Sequence, residues 1–375
     1  MIYLDNAATS FPKPDSVCKR IDEVLRHIGG NPGRGSHKMA IEASRVVFSA
    51  RESVASLFNI ADSSRVVFTK NATEAINVAL KGLLKKGDHA ITTSFEHNSV
   101  VRTLARLERE GVSITKVSGK VPGLVSVSDI EKAITTKTRL VTMVHASNVI
   151  GAIQPVRDIG AMLKKKGITF VVDAAQTSGV IPIDVFKDNI DVLISTGHKA
   201  LFGPQGTGFF YLKEGLDFEP LLDGGTGEAD VMLDIPERFE TGTINTPGVG
   251  GLGAGAEFVL KEGVEKIRLR ETGLIERILD GFKSMSEIKV VGPLDAKERV
   301  SLVSFTVKGK SPIEVGALLD SKFSIMMRCG IHCAPDAHRN ALTFPDGAAR
   351  VSPGYFTTHE EIEEFLKAMT AIVKG

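Results

Sequence analysis

Ile168-Thr169-Phe170-Val171-Val172-Asp173-Ala174-Ala175-Gln176 and Val192-Leu193-Ile194-Ser195-Thr196-Gly197-His198-Lys199 decide the fold. Each is a short, apolar, β-branched run that ends abruptly in polar, chemically capable residues. Runs of this length read as buried strands, because helices of a globular domain need about 10 residues or more. Residues just beyond the C-terminal ends of such strands are where open α/β sheets bind ligands. Working outward, Val66-Val67-Phe68, His89-Ala90-Ile91-Thr92-Thr93 and Leu140-Val141-Thr142-Met143-Val144 read the same way, with helix-like stretches at 74–84 and 159–166 between them. Gly208-Phe209-Phe210-Tyr211-Leu212 reads as a further strand. Near-continuous apolar strands separated by helices predict a mostly parallel sheet covered on both faces.

Upstream, Pro14-Asp15-Ser16 opens a helix whose Val17, Ile21, Val24, Leu25 and Ile28 fall at helical spacing, closed by Gly29-Gly30. The glycine-rich loop Asn31-Pro32-Gly33-Arg34-Gly35-Ser36-His37 leads to a second helix over about 39–58. From Gly250 the pattern changes. A long helical stretch to Met285 precedes strands at 289–291 and 302–307, a helix at 313–319, a strand at 324–327 and a helix after Thr358. The expectation is an α/β chain with a large mostly parallel-sheet domain over 12–250. A smaller α+β domain would span 251–375, joined by residues 1–11.

Composition narrows the function. The 46 Lys+Arg nearly balance 45 Asp+Glu, so the chain has no overall basic surface for nucleic acid or an anionic membrane. No apolar run approaches the ~20 residues of a membrane span. Met1-Ile2-Tyr3-Leu4-Asp5-Asn6 lacks the basic and apolar regions of a signal peptide, so a cytoplasmic location is expected. Cys18, Cys329 and Cys333 form no disulfide framework, and Cys329, His332, Cys333 and His338 match no familiar zinc spacing, so no metal is expected.

Four features come directly after strand candidates. Lys70-Asn71-Ala72-Thr73-Glu74 opens a helix; its free N–H groups and the Thr73 hydroxyl suit a phosphate, although a plain helix cap at Thr73 or Asn71 reads equally well. Phe95-Glu96-His97-Asn98-Ser99 offers an imidazole to stack on a planar ring, or simply a core histidine. Asp173 suits a cationic ring nitrogen, a metal or a ribose hydroxyl. Lys199, 26 residues further on, suits a Schiff base, or is a surface lysine. Each is weak alone. Together, a phosphate cradle, a stacking histidine, a carboxylate and a lysine are what pyridoxal phosphate requires.

The stretches Tyr3-Leu4-Asp5-Asn6-Ala7-Ala8-Thr9, Ala72-Thr73-Glu74-Ala75-Ile76-Asn77, Glu96-His97-Asn98 and Ser147-Asn148-Val149-Ile150-Gly151 carry a resemblance. It continues through Asp173-Ala174-Ala175-Gln176, Gly197-His198-Lys199, Arg238-Phe239-Glu240-Thr241-Gly242-Thr243 and Arg328-Cys329-Gly330-Ile331-His332-Cys333-Ala334. Over essentially its whole length the chain resembles the cysteine desulfurase/selenocysteine lyase family, which has the class V, aspartate-aminotransferase-like fold (fold type I). The resemblance implies that Lys199 carries pyridoxal 5'-phosphate covalently and shuttles the substrate Cα proton. It implies that Asp173 pairs with the ring nitrogen, His97 stacks on the ring, and Asn148 and Gln176 contact the ring hydroxyl. Ala72, Thr73, Thr196 and His198 would bind the phosphate, joined by Thr243 from the second subunit of a homodimer. Arg350 would clamp the substrate carboxylate with support from Arg328 and Asn6, and His37 would lie near the reacting sulfur.

Cys333, in what reads as a mobile polar loop, would attack the sulfur of L-cysteine, keep it as a persulfide for an acceptor protein, and release L-alanine. L-selenocysteine is the other implied substrate. Cys329 either resolves the persulfide as a disulfide or is inert, and Cys18 reads as helix packing. The sequence departs from the family at Ile331, where many relatives carry a second histidine, at Asn71, and in the short polar stretch 335–339; these bear on substrate and acceptor. The alternatives are a transaminase or another C–S β-lyase on the same fold, and a non-catalytic sulfur carrier.

Overall fold

The β-branched runs do assemble into one sheet, and the register of that sheet places the polar strand ends. A computed structural model describes residues 1–33, 35–119, 123–224 and 234–374. The elements in chain order are β1 (Ile2–Tyr3), α1 (Asp15–His27), α2 (Lys38–Leu57), β2 (Val66–Thr69), α3 (Ala72–Leu83), β3 (His89–Thr93), α4 (Asn98–Arg109), β4 (Ser113–Val117), α5 (Val127–Lys132), β5 (Thr138–Val144), α6 (Val156–Lys166), β6 (Thr169–Asp173), β7 (Val192–Thr196) and β8 (Gly208–Leu212). The chain continues with α7 (Thr246–Glu262), α8 (Val264–Lys283), β9 (Ile288–Val291), β10 (Val303–Val307), α9 (Pro312–Phe323), β11 (Ile325–Met326), β12 (Arg328–Gly330), α10 (Pro335–Asn340), β13 (Ala348–Val351) and α11 (His359–Lys374).

The larger sheet has the order β2-β8-β7-β6-β5-β3-β4. The five strands from β7 to β4 are parallel, as expected. β8 runs antiparallel to both its neighbours. The reason is the short link 197–207, which turns back directly and holds no crossover helix of the kind a parallel return needs. One face buries Val54, Ile159, Phe170 and Leu252; the other buries Ile76, Leu80, Leu104 and Phe210. Helix α7 lies along α1 and α2. It does so through its glycines: a Cβ on Gly253 would stand 2.6 Å from that of Ala50.

Four strands escape the sequence pattern, among them the very short β1 and β12. β4 alternates polar and apolar residues at the sheet edge, and β13 is the unassuming Ala-Ala-Arg-Val. The long helical stretch from 250 breaks into two helices at Gly263, whose φ is 85°. The smaller sheet, β12-β13-β10-β9, is antiparallel and packs Phe305 against Ile278, Leu319 and Phe365 of the helices behind it. The chain start joins this sheet, with β1 pairing β11 and Asp5 bridging Ser352. Among the described residues no helix is long and apolar enough to cross a membrane.

Candidate active site

Because β3, β5, β6 and β7 are parallel, their C-terminal residues share one edge, and it is here that Asp173 and Thr196 lie. Two glycines let three backbones crowd together at this edge. A Cβ on Gly208 would stand 2.7 Å from the Asn71 carbonyl carbon, and one on Gly197 would stand 2.2 Å from Thr207 Oγ1. The α3 N-terminus is thereby drawn against the β7–β8 turn that carries His198 and Lys199. Asn71 caps α3 by accepting from the Glu74 N–H at 2.9 Å. The N–H groups of Ala72 and Thr73 stay free of protein acceptors among the described residues, which is the condition for an anion at a helix start.

Lys199 is buried enough that its amine is pushed down to about 8; Arg350 and Arg328 add to this, while Asp173 and Cys333 oppose it. A sizeable neutral fraction is therefore present near neutral pH, as a base or nucleophile needs. Burial raises the Asp173 carboxyl, against the Ala175 N–H it accepts (2.9 Å) and the charge of Lys199. Neighbouring Glu96 is fully buried and pushed up to about 8, chiefly by burial, with Asp173 adding to the shift. Its Oε1 accepts from Thr93 Oγ1 (2.5 Å) and the Val144 N–H (3.1 Å). Burial thus favours the protonated form of Glu96 beside Asp173.

His97 caps α4 with Nδ1, which meets Ser99 Oγ (2.8 Å) and the Ser99 N–H (3.2 Å). Burial first, then Lys199, Arg328 and Arg102, bring its ring down to about 4, so it is a neutral, oriented plane. His198 is held near 4 for the same leading reason, and its buried Nδ1 has no partner. Thr196 donates its hydroxyl to Thr207 O (3.2 Å), and Gln176 donates its amide to Ala7 O (3.1 Å).

The smaller sheet supplies the cations. In the β12–β13 register Arg328 stands directly opposite Arg350, so both side chains leave the same face while Cys329 and Ala349 leave the other. Like charges placed opposite are unfavourable without an anion between or beside them. Asp5 supplies one, accepting from Arg350 Nη2 at 2.9 Å, while Nη1 donates to Asn148 O at 2.9 Å. Arg350 Nε is buried with no partner. Arg328 Nη2 reaches the Cys333 sulfur at 3.6 Å.

Cys333 itself is exposed, but its backbone is not the loose loop that the sequence suggests. His332 and Cys333 both adopt left-handed φ, 51° and 60°, which costs about 1–3 kcal/mol per non-glycine residue. Three contacts hold them there: Asn148 Nδ2 to His332 O (2.6 Å), the Asn98 N–H to Cys333 O (2.8 Å), and His332 Nε2 to Ala348 O (3.1 Å). The polar stretch beyond them is helix α10, tied to β4 by the Lys116–Asp336 ion pair. Asn148→Ala removes one of these clasps; turnover is expected to fall about tenfold with the fold intact, since misplaced reacting groups carry penalties of that order or more. Steady-state rates beside a circular dichroism melt check this.

The other residues singled out by the sequence are placed as follows. Asn6 lines a cavity with Lys199, but its side chain is committed to Ser352 O, Tyr3 O and the Phe11 N–H. Asn148 spends its amide N–H on the Cys333 loop. His37 caps α2, receiving the Ala40 N–H at 3.4 Å, and bonds to none of the strand-end groups among the described residues. Thr243 lines a separate cavity with Lys70 and Asn245, on a segment anchored by the Arg51–Glu240 pair (2.7 Å). Cys329 faces α9, within 2.6 Å of where a Gly316 Cβ would be, and burial lifts its thiol to about 11, which fits the inert reading. Cys18 is exposed on α1 and does not pack. Among the described residues no group of three or more His, Cys, Asp and Glu is placed to hold a metal.

The Aminotransferase class-V family profile matches residues 2–365. The chain belongs to the class-V aminotransferase family. It is 36% identical to a probable cysteine desulfurase of Methanothermobacter thermautotrophicus, over 96% of this chain and 92% of that one. It is 37% identical to a probable cysteine desulfurase of Pyrococcus abyssi, over 100% and 95%. The apo structure of a cysteine desulfurase from Thermococcus onnurineus NA1 superposes with a TM-score of 0.94 at 36% identity, covering 100% of this chain and 95% of that one. The fold of this class-V member is accordingly fold type I, and the family is one of pyridoxal-phosphate-dependent enzymes.

Proposed function

We propose that this class-V enzyme is a cysteine desulfurase that takes sulfur from L-cysteine onto Cys333 and releases L-alanine. The observation that carries the reading is the exposed Cys333 sulfur 3.6 Å from Arg328, close enough to Lys199 for its charge to act on that amine. A lysine base and a cysteine nucleophile close enough for their charges to interact are what sulfur abstraction needs and what a transaminase does not. The cysteine desulfurase names of the relatives support it.

Pyridoxal phosphate fits the groups left unfilled. The free N–H groups of Ala72 and Thr73 and the unpartnered Nδ1 of His198 suit its phosphate. The buried Asp173 suits a protonated ring nitrogen, and the neutral His97 ring suits a stack. When bound, the cofactor supplies an electron sink for the carbanion that forms at the substrate Cα. Lys199 then takes and returns the Cα proton. Asp173 keeps a proton on the ring nitrogen. Arg350 offers its Nε–H to the substrate carboxylate. Asn148, Gln176 and Thr196 border this space, with their donors partly spent on the protein. The Cys333 thiolate attacks the substrate sulfur, so that the carbon–sulfur bond breaks as the sulfur–sulfur bond forms.

Thr243 is assigned to a neighbour's phosphate in a homodimer; the cavity it lines also takes in Thr69, Lys70 and Glu74 at the start of α3. The persulfide would pass to an acceptor protein, and L-selenocysteine would serve as a second substrate. The test is product analysis with the purified holoenzyme, L-cysteine and a reductant. Alanine and sulfide in equal amounts are expected; pyruvate would overturn the reading in favour of a transaminase or another C–S lyase, and no product would favour a carrier.

A further inference from the structure

Glu271 takes no part in the chemistry derived above, yet it lies beside it. It projects from α8 and is 5% exposed. It lines a small cavity together with Asn6, Gln176, Lys199, Ser301 and Tyr355. The space open to the centres of water molecules there is about 40 Å³, enough for roughly three waters at ~10–15 Å³ each. None of His97, Arg328 and Cys333 lines it.

The cations and hydroxyls around Glu271 are committed elsewhere. Arg268, one turn earlier on the same helix, gives its guanidinium to the carbonyls of Arg299 (2.5 Å), Ala296 (3.3 Å) and Lys297 (3.0 Å). Arg299 is wholly spent on backbone carbonyls, including Leu302 O and Pro293 O. Tyr355 donates its hydroxyl to Glu262 (2.7 Å). Ser301, the hydrogen-bonding neighbour of Glu271, donates its only hydroxyl proton to Pro353 O (2.9 Å). The Arg268 charge and the Ser301 contact favour the ionised carboxyl, and the cost of burying a charge outweighs both. Burial correspondingly raises this carboxyl to about 8.

The reaction needs such a proton. L-Cysteine and the Cys333 thiol become L-alanine and the Cys333 persulfide: the Cβ–S bond breaks, an S–S bond forms, and Cβ gains a hydrogen. Two carbons are protonated in each turnover, Cα and Cβ, and Lys199 carries one transferable proton at a time. We propose that Glu271 is a proton reserve for Lys199, passing its carboxyl proton to the amine through water in the cavity they share. Lys199 gains the proton Glu271 loses, and Glu271 is refilled from solvent, which receives the proton released by the Cys333 thiol. This inference rests on the desulfurase reading. Glu271 acts through Lys199 and touches no reacting atom.

The pH effect has a definite sign. The reserve is full below about pH 8 and empties as pH rises through it. The experiment measures kcat for alanine formation from pH 6.5 to 9.5 in holoenzyme, for the wild type, Glu271→Gln and Glu271→Asp; these pH limits span roughly the range over which proton supply to an acid–base group is read. Gln keeps the size and polarity of the side chain but has no proton to give. The expected wild-type to Gln ratio is about 10 at neutral pH, the low end of what a positioned proton donor contributes, and it falls toward one at the alkaline end. Glu271→Asp, which keeps an acid, should restore part of the rate. In cofactor-free protein, the infrared absorption of protonated carboxyls should titrate near pH 8 and lose the Glu271 share in Glu271→Gln, leaving that of Glu96. A rate ratio that does not change with pH, a Gln variant as fast as wild type, or a carboxyl band identical in wild type and Glu271→Gln overturns the reserve. No alanine from the wild type overturns the desulfurase reading and the reserve with it, whereas alanine with a pH-independent ratio overturns the reserve alone.

Discussion

Cys333→Ala should take up pyridoxal phosphate like the wild type and yet form L-alanine from L-cysteine at least about 1,000-fold more slowly, the scale on which loss of an activated nucleophile is felt. The two halves of this expectation have separate structural grounds. The groups suited to the cofactor lie at the ends of the larger sheet, and none of them bonds to the Cys333 side chain. Cys333 is contributed from the other side, beyond β12, and its sulfur interacts with Arg328. The deletion should therefore leave the visible absorbance of the bound cofactor intact while removing the acceptor for sulfur. Selenium leaves carbon more readily than sulfur does, so selenide release from L-selenocysteine should survive the change better. Alanine from L-cysteine at an undiminished rate would mean that sulfur departs without a protein nucleophile, and the assignment of Cys333 would fall.

Arg350→Ala should be nearly as damaging, through stability as well as binding. Arg350 is 1% exposed and holds Asp5 and the Asn148 carbonyl with its two terminal nitrogens. Breaking a buried ion pair from one side costs about 3–5 kcal/mol, and the partial exposure of Asp5 argues for the lower figure. The cofactor-free protein should melt several degrees lower, by about 2–4 °C for each kcal/mol in a domain of 150–250 residues. KM for L-cysteine should rise at the same time, because the Nε–H that faces no protein acceptor is lost. Arg350→Lys separates the two effects. A single ammonium can pair with Asp5 but cannot fork to Asn148 O and the substrate, so part of the melting temperature should return without KM. A lysine variant with wild-type KM would show that the clamp lies elsewhere.

Much of this site is legible in the sequence, for an identifiable reason. Asp173, Lys199 and the strands before them are local: a short apolar run and the polar residues at its end can be read without knowing what packs nearby. The features that escape reading depend on distant partners. Nothing in Ala-Ala-Arg-Val announces a central strand, since its stability comes from β10 and β12 on either side. Asn148 reads as a ring contact, and only the folded chain shows its amide also clasping the Cys333 loop. The loop itself, polar and carrying Gly330 and Pro335, reads as mobile, because the Asn98 and Ala348 groups that restrain it lie far away in sequence. Glu96 and Glu271 look like ordinary glutamates, and only burial raises their carboxyls, for Glu271 against the charge of Arg268. Cys18 fails the opposite way: its helix is amphipathic, but the position falls on the exposed side.

The path of the chain's first ten residues sets an order on how the protein can be made. Leu4 and Asn6 bond to Ser352, and Asp5 pairs with Arg350, 345 positions later. Thr9 and Ser10 go on to bond the carbonyl groups of His198 and Lys199. Contacts so remote in sequence carry a high closure entropy and form late. Most neighbouring strands of the larger sheet are separated by much shorter stretches, so that sheet can form earlier. The lysine turn and the arginine cluster are then brought together late in folding, by a segment that belongs to neither.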